Sequence, residues 1–216
     1  MNYFAHGMKY LDRPYFLAGT AIPDWLSVAD RKVRMRNRRV EPFADGSGSE
    51  HAELAAGVLQ HLSDDGWFHQ TRAFHDSTTE MAKAFRELLG PDDGFRPGFL
   101  GHIVTEIILD GVLIERDPSK LDEYYRVVSS VDAEQIQRDV NKMARDETTR
   151  LAEFIGIFRR EKFLYDYLDS ERLLFRLNQV MRRVKLPQLP PETEDVLISG
   201  WGIVKRYSDS LLLPVD

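Results

Sequence analysis

Residues 96–116 read RPGFLGHIVTEIILDGVLIER, and this stretch decides the fold class. Phe99, Leu100, Ile103, Ile107, Ile108 and Leu113 recur at helical spacing, not in the alternation of a strand. Apolarity on every side of such a helix predicts a place at the centre of a core. Within it, Glu106 follows His102 by four residues and Asp110 follows Glu106 by four. Carboxylates on such a helix must be paired or bind metal, because an isolated buried charge is very costly.

Outward from this segment, helical periodicity dominates and β-like alternation is almost absent. An all-α fold is expected: a single domain, residues 1–216, built as a bundle of about eight helices. Its first half, residues 1–116, carries the candidate site, and the helices of 119–216 complete the bundle. A short helix is expected from Asn2 to about Lys9. Pro14 suits the first turn of a second helix towards Ile22, with Pro23 as its stop. Residues 31–49 read as a loop, flexible through Asp45-Gly46-Ser47-Gly48-Ser49. A helix from about Glu50 carries Leu54, Val58, Leu59 and Leu62 and ends at Gly66, and another runs from about Gln70 to Leu89, closed by Gly90-Pro91. Asp132 and Gln135 have capping-box spacing for a long helix towards Phe158. Two more helices are expected over roughly 170–184 and 192–210.

Hydrophobic residues make up 43% and charged residues 30% of the chain, which excludes global disorder. No uninterrupted apolar run approaches the roughly 20 residues of a bilayer span, and the start lacks the basic and apolar regions of a signal peptide. A soluble, cytoplasmic protein without a membrane partner is the expectation. With no cysteine, a disulfide framework, a thiolate metal site and a Cys nucleophile are all excluded. A net charge of −6 argues against general nucleic-acid binding. The charge is uneven, however: RKVRMRNRRV at residues 31–40 holds six cations and no acid, leaving −12 for the rest. Arg34, Arg36 and Arg38 in this run are candidates for contact with a phosphate or an acidic partner, against the plain reading of a solvated loop.

The six histidines differ in their surroundings. In HLSDDGWFH, Asp65 lies four residues after His61 and His69 four further on; in GHIVTEIILD, His102, Glu106 and Asp110 repeat that spacing. Side chains at i and i+4 share one helix face, so an imidazole and a carboxylate can converge on one ion. His51 and His75 have no comparable setting. A thiolate-free His/Asp/Glu site suits one or two divalent ions, Mn²⁺, Fe²⁺ or Zn²⁺. Two such ions about 4 Å apart would activate a bridging water and clamp a phosphoryl group. Asp65, His69 and Glu106 are the catalytic candidates, as ligands or as groups orienting the attacking water. No nucleophile elbow or Walker loop competes, so hydrolysis at phosphorus is the expected reaction.

The order of these motifs resembles the acyl carrier protein phosphodiesterase family, a branch of the HD-domain-like metal phosphohydrolases. Met1-Asn2-Tyr3-Phe4-Ala5-His6 is similar to its opening motif. Gly19-Thr20-Ala21-Ile22-Pro23-Asp24 is similar to the following one, with Thr20 where the family has Asn. Gly57, His61, Asp65 and Trp67 fall on the third, and His102 corresponds to a buried histidine on a later helix. The likeness covers about residues 1–110, with His69 where the family usually has an aspartate. It implies an HD-domain-like all-α fold and hydrolysis of the phosphodiester joining phosphopantetheine to a serine of acyl carrier protein. It also implies His6, Asp24, His61, Asp65 and His102 as metal ligands; the helical spacing itself adds Glu106, Asp110 and His69 as further candidates, as ligands or as groups orienting water. Acyl carrier protein is small and acidic, so Arg31 to Arg39 would suit it as a docking segment. A weaker resemblance is to the zinc-dependent phospholipase C and single-strand nuclease group, whose ligand pattern fits His61, Asp65, His69, His102 and Glu106. The remaining alternative is a non-catalytic helical binding protein, in which Glu106 and Asp110 pair with buried arginines of the 172–183 helix.

Overall fold

A computed structural model describes residues 1–90 and 93–214 of the chain. Among the described residues the protein is all-helical, with no strand. The described residues form eleven α-helices where about eight are expected from sequence: α1 (Tyr3–Gly7), α2 (Pro14–Ala29), α3 (Asn37–Val40), α4 (Glu50–Phe68), α5 (Arg72–Leu89), α6 (Pro97–Arg116), α7 (Pro118–Ser130), α8 (Ala133–Met143), α9 (Leu151–Glu161), α10 (Ser170–Arg183) and α11 (Thr193–Leu211). Short 3-10 turns occupy Glu41–Phe43, Asp93–Phe95 and Phe163–Leu168. The contacts divide the chain into two compact units, each drawing on both ends of the sequence. One comprises residues 2–66 and 117–162; the other comprises Met1, residues 67–116 and residues 163–216.

The first unit is packed around aromatic rings. Trp25 and Phe158 meet edge to face at 5.4 Å, Phe4 and Tyr124 at 5.9 Å, and all four side chains are fully buried. Pro23 does not stop α2. It removes one backbone donor, but Ile22, Trp25 and Leu26 are buried on either side of it, and this packing carries the helix to Ala29. The helix α2 crosses α4 at Gly19 and Gly57, where the backbones touch. A Cβ on Gly57 would lie 2.0 Å from the Phe16 carbonyl oxygen, and one on Gly19 would lie 2.3 Å from that of Leu54.

The expected long helix after Asp132 is two. Asp132 does cap α8, its carboxylate accepting from the Glu134 and Gln135 N–H groups. Gln135 does not complete the box; its amide donates to Glu50 instead. The chain then breaks after Met143, and Asn141 holds the connection by exchanging two hydrogen bonds with the Thr148 backbone. Ahead of it, α7 is a helix the sequence reading does not anticipate, started by Pro118 and buried through Leu121, Tyr124, Tyr125 and Val128.

In the second unit α6 is central, as its apolarity predicts, with α5 and α11 against it. Gly101 lets α5 approach closely: a Cβ there would lie 2.5 Å from the Thr78 carbonyl oxygen. By length and mean hydropathy (1.5) α6 passes the test for a membrane span that no uninterrupted run in the sequence meets, and 72% of that window is buried inside the protein. Gly66 does not terminate α4, which continues to Phe68; that ring is fully buried against Phe74 at 4.8 Å. Thr71 caps α5, and Gly90 closes it with a positive φ, whereas Pro91 lies outside the described residues.

Candidate metal centres

The histidines and acids assemble into two groups, one in each unit. His6, His61 and Asp65 form the first and His69, His102 and Glu106 the second; within each, one ligand atom per residue lies within 4.8 Å of the others.

The first group is built where α1 and α4 meet α2. Contact of the Gly19 and Gly57 backbones brings α2 so close to α4 that the Thr20 carbonyl oxygen sits 2.7 Å from His61 Nδ1. Only a protonated nitrogen can face a carbonyl, so Nδ1 donates and the free lone pair, where there is one, belongs to Nε2. That Nε2 lies 3.4 Å from Asp65 Oδ2. A lone pair facing a carboxylate oxygen is repulsive, so the gap takes a cation: a proton on the ring or a metal ion. His6 stacks on His61 at 4.0 Å, presenting Nε2 to Asp65 Oδ1 at 3.2 Å and Nδ1 to Asp64 Oδ2 at 3.5 Å. Both nitrogens are buried, and neither contact has hydrogen-bond alignment. Asp64 is held in turn by the Gln60 amide at 2.9 Å.

Burial pushes the Asp65 carboxyl up, but the His6 and His61 imidazoles outweigh it and hold the group well below the usual carboxylate range. An anionic oxygen pair with two buried imidazoles converging on it could hold a divalent ion. The backbone carbonyl behind His61 and the carboxylate beside His6 are contacts of the kind that orient histidines in metal sites.

The second group stands on the end of α4, the turn after it and the face of α6. Glu106 Oε1 receives His69 Nε2 at 2.8 Å, His102 Nε2 at 3.3 Å and the Met1 α-ammonium at 3.3 Å. Phe74 lies 4.9 Å from both imidazole rings and walls one side. Burial raises the Glu106 carboxyl, while the α-ammonium and the two imidazoles lower it further, to about 2. His102, which the resemblance makes a buried histidine, is 46% exposed, and His69 is 33% exposed. Glu106 is mostly buried, as its helix predicts.

Asp24 and Asp110 join neither group. Asp24 is half-buried on α2, and Asp110 is fully buried one turn beyond Glu106. Among the described residues Glu106 is met by His69, His102 and the Met1 α-ammonium, while Arg172 and Arg176 of the 172–183 helix are both engaged by Asp166. His51 faces Asp139 at 3.1 Å, and His75 is exposed. Arg34, Arg36 and Arg38 are exposed.

Sequence reasoning missed Asp64, Gln60 and the Thr20 carbonyl. Asp64 carries a signal in hindsight, since Gln60 precedes it by four residues on the same helix and it adjoins Asp65. A backbone carbonyl supplied by another helix leaves no residue type to read. No family model, curated protein or solved structure matches the chain.

Proposed function

We propose that the protein is a metal-dependent phosphoric diester hydrolase that takes one or two divalent ions, Mn²⁺, Fe²⁺ or Zn²⁺, on these two groups. The observation that carries the reading is His61: its Nδ1–H is spent on the Thr20 carbonyl, and its Nε2 faces a carboxylate 3.4 Å away. Such a gap, with a second buried imidazole closing on the same carboxylate, suits a metal ion better than a hydrogen bond. Three protein donors leave coordination positions open, which distinguishes a catalytic site from a closed structural one. When bound, the ion supplies a water made acidic enough to ionise near neutral pH and a Lewis acid for the phosphoryl oxygens.

The chain's own groups have separate tasks. His6, His61 and Asp65 bind, and Asp64 and the Thr20 carbonyl orient the two rings. Glu106, ionised throughout the neutral range, is the anionic donor between the His69 and His102 rings. His69 Nε2 is within hydrogen-bond reach of Glu106 and its ring is partly open to solvent, so it is the group assigned to orient water at the second group. Within this reading the substrate is the phosphodiester linking phosphopantetheine to an acyl carrier protein.

The test is metal content by plasma mass spectrometry together with hydrolysis of bis-p-nitrophenyl phosphate and of the carrier protein. Wild type is expected to retain one or two equivalents through desalting and to hydrolyse both. Activity on the small diester alone removes the carrier protein as substrate. No retained metal and no chelator effect on melting temperature would leave protons, not metal, between the imidazoles and Asp65, and the hydrolase reading would fail.

A further inference from the structure

The metal centres make no use of a cavity between the 3-10 turn Phe163–Leu168, α10 and α11, all within the second unit. It encloses about 290 Å³, at the lower end of the roughly 300–1,000 Å³ of small-ligand pockets. Leu173 and Leu197, each 2% exposed, lie at its base, and Tyr167 and Trp201 give it aromatic walls. The Trp201 ring is held against α6, where a Cβ on Gly111 would lie 2.6 Å from it. A wall fixed in this way needs no reordering to receive a ligand. Leu168 and Ile198, 44% and 59% exposed, form the mouth. Ser170 completes the lining, and none of these residues is charged.

The charge beside the cavity is of one sign. Ser170 Oγ donates to Glu194 Oε1 at 2.6 Å, which ties the start of α10 to the start of α11. Glu194 is half-buried and makes no ion pair among the described residues. On either side of that hydrogen bond, residues 169–172 and 192–195 hold five acids and one cation, Arg172, which Asp166 engages. We propose that the cavity binds a small amphiphilic amine, whose two-ring aromatic group fills the apolar space and whose ammonium meets Glu194. A cavity of about 150 Å³ takes one benzene ring, so the larger space here suits two fused rings. A carboxylate or phosphate on the ligand would be repelled by the surrounding acids. A protein partner fits less well, because the mouth offers two exposed apolar side chains where a stable interface covers roughly 800 Å² per partner. None of these residues belongs to either histidine–carboxylate group, so the proposal holds whether or not the metal centres hydrolyse a phosphodiester.

The experiment is equilibrium dialysis of the full-length protein against tryptamine, with 3-methylindole and indole-3-propionate as the neutral and anionic comparators. Glu194→Gln and Ile198→Arg, each checked for folding by circular dichroism, are measured alongside. Tryptamine is expected to bind saturably and most tightly, and the propionate least. Glu194→Gln should weaken tryptamine by about fivefold and leave 3-methylindole unchanged. Ile198→Arg, which sets a cation at the mouth, should remove the preference for tryptamine over the propionate. No saturable binding, equal binding of the amine and the propionate to wild type, or an unchanged pattern in either variant would overturn the proposal. Tryptamine binding that falls as protein concentration rises, with a dimer seen in sedimentation, would overturn it in favour of a second copy of the chain on this face.

Discussion

The two histidine–carboxylate groups share a composition, two imidazoles and one acid, and differ in what stands behind the rings. In the first, His6 and His61 are buried at 1% and 3% exposure; the far nitrogen of His61 is hydrogen-bonded to the Thr20 carbonyl, and that of His6 faces the Asp64 carboxylate at 3.5 Å. In the second, His69 and His102 are a third to a half open to solvent, and among the described residues neither ring has a partner for its other nitrogen. Orientation of a ligand before binding lowers the entropy lost on binding. On the proposed reading the first group would hold metal more tightly and the second would exchange it. The physical lesson is that the same residue types at the same helical spacing become different sites according to which backbone lies behind them.

The strongest way to break this comparison is to remove ligands. His61→Ala and Asp65→Ala are each expected to abolish tightly held metal and hydrolysis while leaving helix content intact, whereas His102→Ala should lower only weakly held metal. Full activity in the first two variants, or equal metal loss in all three, would sink the distinction. The helix crossing comes next. Gly57→Ala drives a Cβ into the Phe16 carbonyl, so it should destabilise the fold by about 3 kcal/mol in urea melts and loosen metal in the first group alone.

Acid titration of metal-free protein probes the second group. Glu106 has a folded pKa of about 2 against an ordinary 4.5. A depressed carboxyl contributes stability that is present above 4.5 and is lost as pH falls towards 2. Allowing for partial exposure, that contribution is about 2 kcal/mol, and Glu106→Gln should flatten the stability–pH curve in that window. An unchanged slope would mean the imidazoles and the α-ammonium do not act on this carboxyl. The smallest effect is expected for Asp64→Asn, which keeps the shape but removes the charge behind His6. Metal affinity of the first group should fall by about tenfold, read by competition with a chelator. No change would assign Asp64 to packing.

Much of this molecule follows from local pattern. Apolar periodicity dictates helices and excludes strands, the all-round apolarity of 97–116 makes α6 central, and i, i+4 spacing puts His61 with Asp65 and His102 with Glu106 on common helix faces. Those relations lie within one helix, where geometry is set by chemistry a few residues away. Errors arose where packing outvoted a local signal. Pro23 and Gly66 both read as stops, yet buried side chains beside them carry α2 and α4 onward.

Long-range relations had no such signature. That His6 stacks on His61, that the second group joins His69 to His102, and that Asp24 and Asp110 stay apart from both depend on how helices cross. The deciding contact is between Gly19 and Gly57, two residues without side chains, which sets a backbone carbonyl behind an imidazole. Helix periodicity is encoded residue by residue, whereas a crossing is a property of two surfaces, and only the folded chain brings those surfaces together.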